Sequence, residues 1–236
     1  MPSLVEAATS QVGRKLLTGI TGLLLLFFLF FHLAGNLTIF GGEHAMNIYS
    51  MTLHDLGWPL WIARIGLALV FIIHAWVGIS IWWRRRKARP ENYHVYSSKG
   101  EPSRQSLSSR SMAITGIILL IFLVFHINTF ALGDTGTVLI DGREVSDLKT
   151  LVIETFQNPL YAFGYAIIML LLAAHLGHGI WSSFVSLTMK SRKCSDLMYT
   201  IGATVAILLA LGFLFIPLYI YFTGGCGAMI AGSQCV

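Results

Sequence analysis

Five stretches of this chain, at about 15–40, 59–83, 111–133, 159–189 and 197–222, are almost unbroken runs of apolar residues. Each is about 20 residues or longer, the length an α-helix needs to cross a ~30 Å hydrocarbon core. Lipid offers no hydrogen bonds to a bare backbone, so such runs must close their own as helices. Only 11% of the 236 residues are charged and 55% are hydrophobic, whereas soluble domains average about 25% charged. The runs take up more than half of the chain, which leaves no room for a large soluble domain. The sequence therefore predicts an all-α membrane protein, a single domain over 1–236 with five transmembrane helices in a bundle.

The net charge of +5 does not indicate a nucleic-acid partner, because its distribution follows the membrane. Thirteen of the sixteen Lys and Arg residues fall in the N-terminal segment (Arg14, Lys15), in the connection 84–110, or at Lys190, Arg192 and Lys193. The other side holds only Arg143 and Lys149, and Arg64 lies inside the second span. The positive-inside rule puts the N-terminus in the cytoplasm and the C-terminus outside, which an odd number of spans requires. The first apolar run, about 25 residues, exceeds the ~7–15 of a signal-peptide core and reads as a retained helix. Cys194 then faces the reducing cytoplasm, and Cys226 and Cys235 lie in an outer tail where a disulfide is permitted. No internal repeat stands out. The basic connection RRRKARPENYHVYSSKGEPSRQSLSSR, which contains His94, suits lipid phosphates or a partner protein. In the third connection, DGRE suits a hairpin turn. Pro59 and Pro159 open spans where a missing N–H is harmless, and Pro217 predicts a kink in the fifth span.

Histidine marks each of the first four spans: His32, His74, His126, and both His175 and His178 on the fourth. An imidazole in hydrocarbon is costly unless it is bound or hydrogen-bonded. Counting from the start of each span, His32, His74, His126 and His175 lie 15–17 residues in. That is about 24 Å along a helix, past the middle of the core. Spans one and three run outward and spans two and four inward. His32 and His126 therefore share an outer level, and His74 and His175 an inner one. Two imidazoles from different helices, facing each other, suit the two axial positions of a haem iron. Gly35, Ala34, Ala75, Gly78, Gly116, Gly177 and Gly179 let a flat macrocycle approach, although small residues also serve ordinary helix packing. His175 and His178 are three residues apart, about 60° around the helix, and periodicity does not choose between them. The other one suits a bond to a propionate or a carbonyl. The absence of CxxCH excludes covalent c-type attachment.

His44, His54 and Asn47 in the first outer connection, EHAMNIYSMTLHDLG, read either as polar residues at the membrane surface or as part of a quinone pocket. A quinone needs a hydrogen-bond donor and, on reduction, protons. Arg64, within the second span, is costly unless paired. A propionate, an acid or a quinone oxygen would pair it, or it snorkels to the surface.

The stretches GRKLLTGITGLLLLFFLFFHLAGNL, LHDLGWPLWIARIGLALVFIIHAW, TGIILLIFLVFHINTF and FQNPLYAFGYAIIMLLLAAHLGHGIWSSF, in this order between about 13 and 184, carry a family likeness. The chain resembles the single-polypeptide, five-helix, di-haem cytochrome b anchor of succinate:quinone oxidoreductases, the succinate dehydrogenases and related fumarate reductases. The resemblance implies two b haems, an outer one between His32 and His126 and an inner one between His74 and His175, with His175 preferred to His178. It also implies a bacterial inner (cytoplasmic) membrane location. The partners it implies are an iron–sulfur subunit and a flavoprotein subunit, and the complex as a whole is open to higher oligomerisation. Electrons from succinate would reach a quinone, usually menaquinone in this branch, near the outer surface. The chain alone would not oxidise succinate. Some related fumarate reductases have a glutamate for proton movement where this chain has Ala173, so that route does not carry over. CGAMIAGSQCV lies outside the likeness. The competing classes are a di-haem cytochrome b of a nitrate reductase, hydrogenase or formate dehydrogenase, a haem-free histidine-relay transporter, and a purely structural anchor. The lack of an inverted repeat disfavours the transporter.

Overall fold

The computed structural model describes residues 9–88, 107–187 and 192–224, together with Ser3 and Glu6. Cys226, Cys235, His94, Lys190 and most of the basic connection lie outside these residues, as does the side chain of Cys194. The elements in order are α1 (Gln11–Leu37), a 3-10 turn (Thr38–Phe40), α2 (Ala45–Asp55), α3 (Trp58–Ala88) and α4 (Leu107–Phe130). Then come β1 (Thr137–Ile140), β2 (Arg143–Ser146), α5 (Leu148–Gln157), α6 (Pro159–Ser186) and α7 (Arg192–Thr223). Five of the helices, α1, α3, α4, α6 and α7, are long and apolar enough to cross a membrane. This is a multi-pass membrane protein.

Helix ends differ from the sequence expectation where local chemistry extends or stops them. The run Arg84–Lys87 continues α3 to Ala88, because Arg and Lys are good helix formers. The fourth span stops at Ser186 rather than 189, and the third at Phe130. Ser10 caps α1 by accepting from the Gly13 N–H at 3.0 Å. Asn158 caps α6 at 2.9 Å from the Leu160 N–H, with Pro159 at the first helical position; each such cap is worth about 1 kcal/mol. Pro217 lies inside α7, which continues through it to Thr223.

Close helix approaches occur where a side chain is missing. Gly19 of α1 lies against Ser183 of α6, Gly202 of α7 against Ile180 of α6, and Gly212 of α7 against Leu33 of α1. A Cβ at Gly212 would come within 2.6 Å of the end of the Leu33 side chain, which would have to turn aside. Such small-residue contacts drive helix association in lipid, where burial alone gives no advantage. The outer surface is apolar: Ile62, Ile65, Leu69 and Ile72 of α3 and Leu211 and Phe222 of α7 are all exposed. In α3, Trp58 and Trp61 lie at one end and Trp82 and Trp83 at the other. The 24 residues from Trp58 to Trp82 span about 36 Å, as interfacial aromatic belts would.

The two ends of the bundle differ. The end where α1, α4 and α7 begin carries Arg14, Lys15 and Arg84–Lys87, and Arg14 donates to the Ser80 hydroxyl of α3 at 3.2 Å. We call it the basic end. The other, the capped end, is closed by α2, the β-hairpin and α5. Asp141 (φ 51°) and Gly142 (φ 77°) make the hairpin turn, with Ile140 opposite Arg143; two positive φ values in succession match the right-handed twist of a tight hairpin. The sequence reading did not anticipate α2. Its buried Asn47 donates to Asp147 Oδ1 at 2.8 Å and accepts from the Lys149 N–H at 3.0 Å. Burial alone would raise the Asp147 carboxyl, but hydrogen bonds from Thr150 and Asn47 outweigh it and hold the group below the usual carboxylate range. Lys149, 5% exposed, donates its ammonium to the Gly42 carbonyl at 2.9 Å, and burial pulls its pKa down. Beneath this polar layer, Ile39, Met46, Val152, Ile153, Phe156, Ile216 and Ile220 form one apolar cluster.

Candidate functional site: two levels of paired histidines

Four helices bring four histidines together as two pairs. His74 of α3 and His175 of α6 face each other near the basic end, with ring centroids 6.4 Å apart and planes at 72°. His32 of α1 and His126 of α4 face each other near the capped end, at 5.6 Å and 87°. Gly22 lies beside His74, and ten residues separate it from His32 on the same helix. That spacing puts the two levels about 15 Å apart along the bundle. His175, not His178, meets His74; the His178 ring instead lies 5.6 Å from that of Trp181.

The surroundings of the two pairs are built differently. At the basic-end level, the Thr21 hydroxyl of α1 lies 3.2 Å from His74 Nδ1, and the Thr115 hydroxyl of α4 lies 3.1 Å from His175 Nδ1. Both threonines are buried. The next residue in each case is a glycine against the same ring: a Cβ on Gly22 would lie 3.2 Å from His74 Cε1, and one on Gly116 would lie 3.3 Å from His175 Cε1. Ser108 of α4 also donates to the carbonyl of Ala174, next to His175. At the capped-end level, His126 Nδ1 lies 3.3 Å from the Tyr165 hydroxyl of α6. His32 has the Asn36 amide 3.5 Å from its Nε2, and that amide also donates to the His32 carbonyl at 2.7 Å. Phe28, Phe122, Phe130 and Phe213 surround this pair.

The threonine and glycine contacts reveal an internal repeat that the sequence reading missed. ITGLLLLFFLFFH (20–32) on α1 and ITGIILLIFLVFH (114–126) on α4 are identical at nine of thirteen positions. The helix that returns beside each carries histidine with glycine four residues later, His74 and Gly78 on α3, His175 and Gly179 on α6. Each histidine pair takes one member from each repeat. The signal lay in the sequence, but Thr and Gly in an apolar run look like packing residues until a partner ring is known. Tyr165 carries no such mark. A Cβ on Gly78, one turn beyond His74, would meet nothing within 4 Å, so there is open space beside this pair.

The residues singled out around the first outer connection separate. Asn47 is buried in the capped end, its side chain bonded to Asp147 and the Lys149 N–H. His44 precedes α2 without a side-chain capping bond. His54 donates from Nδ1 to the Ser50 carbonyl at 2.8 Å and turns Nε2 to Arg64, 3.4 Å away. Arg64 also lies over Trp61, 5.3 Å from its ring, so both remain together on the exposed rim. Next to them, Arg143 makes a two-bond pair with Asp55 at 3.0 and 3.1 Å, which holds the Asp55 carboxyl below its ordinary range. Among the described residues no group of three or more His, Cys, Asp or Glu side chains is arranged for a metal ion. No family model, curated protein or solved structure matches the chain.

Proposed function

We propose that this chain is the membrane anchor and electron-transfer subunit of a succinate:quinone oxidoreductase, with two non-covalent b-type haems. His32 and His126 would hold one haem at the capped end, and His74 and His175 the other at the basic end. One observation carries the reading: four helices supply two facing imidazole pairs at two depths. The rings of each pair, with centroids 5.6 and 6.4 Å apart, are close enough that both would reach one iron. A donor set of two histidines is too small for a bare ion but complete for a porphyrin iron, which brings four nitrogens of its own. When bound, haem supplies one-electron chemistry at a potential tuned by its ligands and surroundings.

The chain's own residues do the rest. The histidines hold the two carriers about 15 Å apart along α1. The apolar helices keep water from them. The excess of Arg and Lys at the basic end turns that end to the cytoplasm. There Arg84, Arg85, Arg86 and Lys87 offer a docking surface for the iron–sulfur subunit, and the flavoprotein subunit lies beyond it. The capped end then faces outward, with Arg64 as the donor for a quinone at the membrane rim, His54 beside it and His44 near the entry. Menaquinone is the expected acceptor.

Affinity capture of the tagged chain from its native membrane tests this. The reading predicts a red preparation whose absorption changes on adding succinate, with succinate dehydrogenase activity co-eluting. A pigmented preparation without that activity would assign the chain to another oxidoreductase. A colourless one would remove the haem reading altogether.

A further inference from the structure

We infer that Thr21 and Thr115 are positioning residues that fix the protonation of the basic-end imidazoles and set that level apart electronically from the capped-end level. The inference rests on the haem reading above and deepens it.

A hydroxyl has one proton to give and two lone pairs to accept with. Thr21 Oγ1 lies 2.6 Å from the Leu17 carbonyl, and Thr115 Oγ1 lies 3.1 Å from the carbonyls of Ser111 and Met112. These carbonyls accept the hydroxyl protons. Towards the histidine, each hydroxyl is therefore an acceptor, and the ring nitrogen facing it must carry the proton. That nitrogen is Nδ1 in both His74 and His175. The bare Nε2 is left as the electron-pair donor, the state in which an imidazole binds a metal. Each of the two rings thus turns Nδ1 to one threonine hydroxyl from a neighbouring helix. Gly22 and Gly116 sit tight against the same rings, where even a Cβ would ask the ring to give by a few tenths of an ångström.

A ligating imidazole whose other N–H is hydrogen-bonded is a stronger donor to the metal. Stronger donation favours the oxidised iron. The two threonines therefore hold the basic-end haem at a lower potential than an unbraced pair would have. At the capped end, Tyr165 braces His126 at a longer 3.3 Å, and His32 has only an amide at 3.5 Å. The paired threonine brace is thus a device of the basic-end level, and the capped end has one longer tyrosine contact in its place.

The test is a redox titration of the purified, pigmented full chain, followed optically, for Thr115→Val, Thr21→Val and the serine variants at both positions. The basic-end component is identified as the one that survives in His32→Ala. For Thr115→Val, that component should move upward by about 59 mV, a tenfold change in its oxidised-to-reduced ratio for one electron. Thr21→Val should move the same component in the same direction. The capped-end component should stay in place, and serine should restore the original value at both sites. If Thr115→Val loses the basic-end haem, its recovery in Thr115→Ser supports the brace. Unchanged potentials in both valine variants, or serine behaving as valine, would overturn it while leaving the haem reading intact. An unaltered chain without pigment would instead overturn the haem reading and the brace with it.

Discussion

The two histidine levels use the same pairing, one ring from each repeat, yet they are framed by different chemistry. At the basic end both rings rest on a threonine hydroxyl and a glycine, and the contacts come from helices that carry the other level's histidines. At the capped end, phenylalanines crowd the rings and polar support is sparse, one tyrosine hydroxyl and one asparagine amide. The repeat explains the shared part, since the ITG segment sits ten residues before its histidine and so reaches the opposite level. The difference shows how one duplicated frame can hold two similar centres in unequal environments. The electron-transfer role proposed above would benefit from such inequality.

The largest expected effects come from removing a ligand. His175→Ala or His74→Ala should halve the haem per chain by emptying the basic-end level. His32→Ala or His126→Ala should empty the capped-end level and stop quinone reduction. Pigment quantified per chain, with the surviving component's potential, checks both. Retention of both haems in His175→Ala with loss of one in His178→Ala would reverse the assignment between those two neighbours.

Next come the close approaches. Gly116→Val puts side-chain atoms where His175 Cε1 lies, since even a Cβ would stand 3.3 Å away. The ring must move off Thr115. The expected cost is about 10–100-fold in affinity for the basic-end haem, read as pigment lost on dilution into apo-myoglobin, with the other level unaffected. Tyr165→Phe should act in the opposite sense on the comparison, moving only the capped-end component. Its shift should be smaller than that of Thr115→Val, because its bond is longer.

How much of this was legible in the sequence follows from where the information lies. Hydropathy alone marks the five spans, because lipid demands long apolar helices. Depth counting along antiparallel spans pairs His32 with His126 and His74 with His175, and these are the rings that face each other. The hairpin was readable in Asp141 and Gly142. Helix α2 was not, since EHAMNIYSMTLHDLG mixes polarities and His44 makes no capping bond. The roles of Thr21 and Thr115 depend on partners 53 and 60 residues away in sequence, which no local pattern reports. The bonds of Asn47 to Asp147 and Lys149 were equally hidden, because a polar side chain near the membrane surface gives no sign of which partner it will find.

The smallest effects should arise at the capped end, away from both levels. Asn47→Ala leaves Asp147 Oδ1 and the Lys149 N–H short of a partner and should cost about 1–3 kcal/mol, seen as a lower Tm with haem content unchanged. Asp55→Asn should hardly alter Tm at neutral pH, because its pair with Arg143 is exposed to water and screened. The native Asp55 carboxyl is held below its ordinary range by Arg143. Whatever stability that pair contributes is present above about pH 4 and fades as pH falls through the native value.

The most direct test of the account is the number and kind of haems on the purified, unaltered chain. Extraction of the pigment as a pyridine complex should give two non-covalent b haems per chain, and low-temperature electron paramagnetic resonance should show two low-spin ferric signals, both with two imidazole ligands. A chain with no haem, or with a single centre whose signal survives in His32→Ala, His74→Ala, His126→Ala and His175→Ala alike, would contradict it.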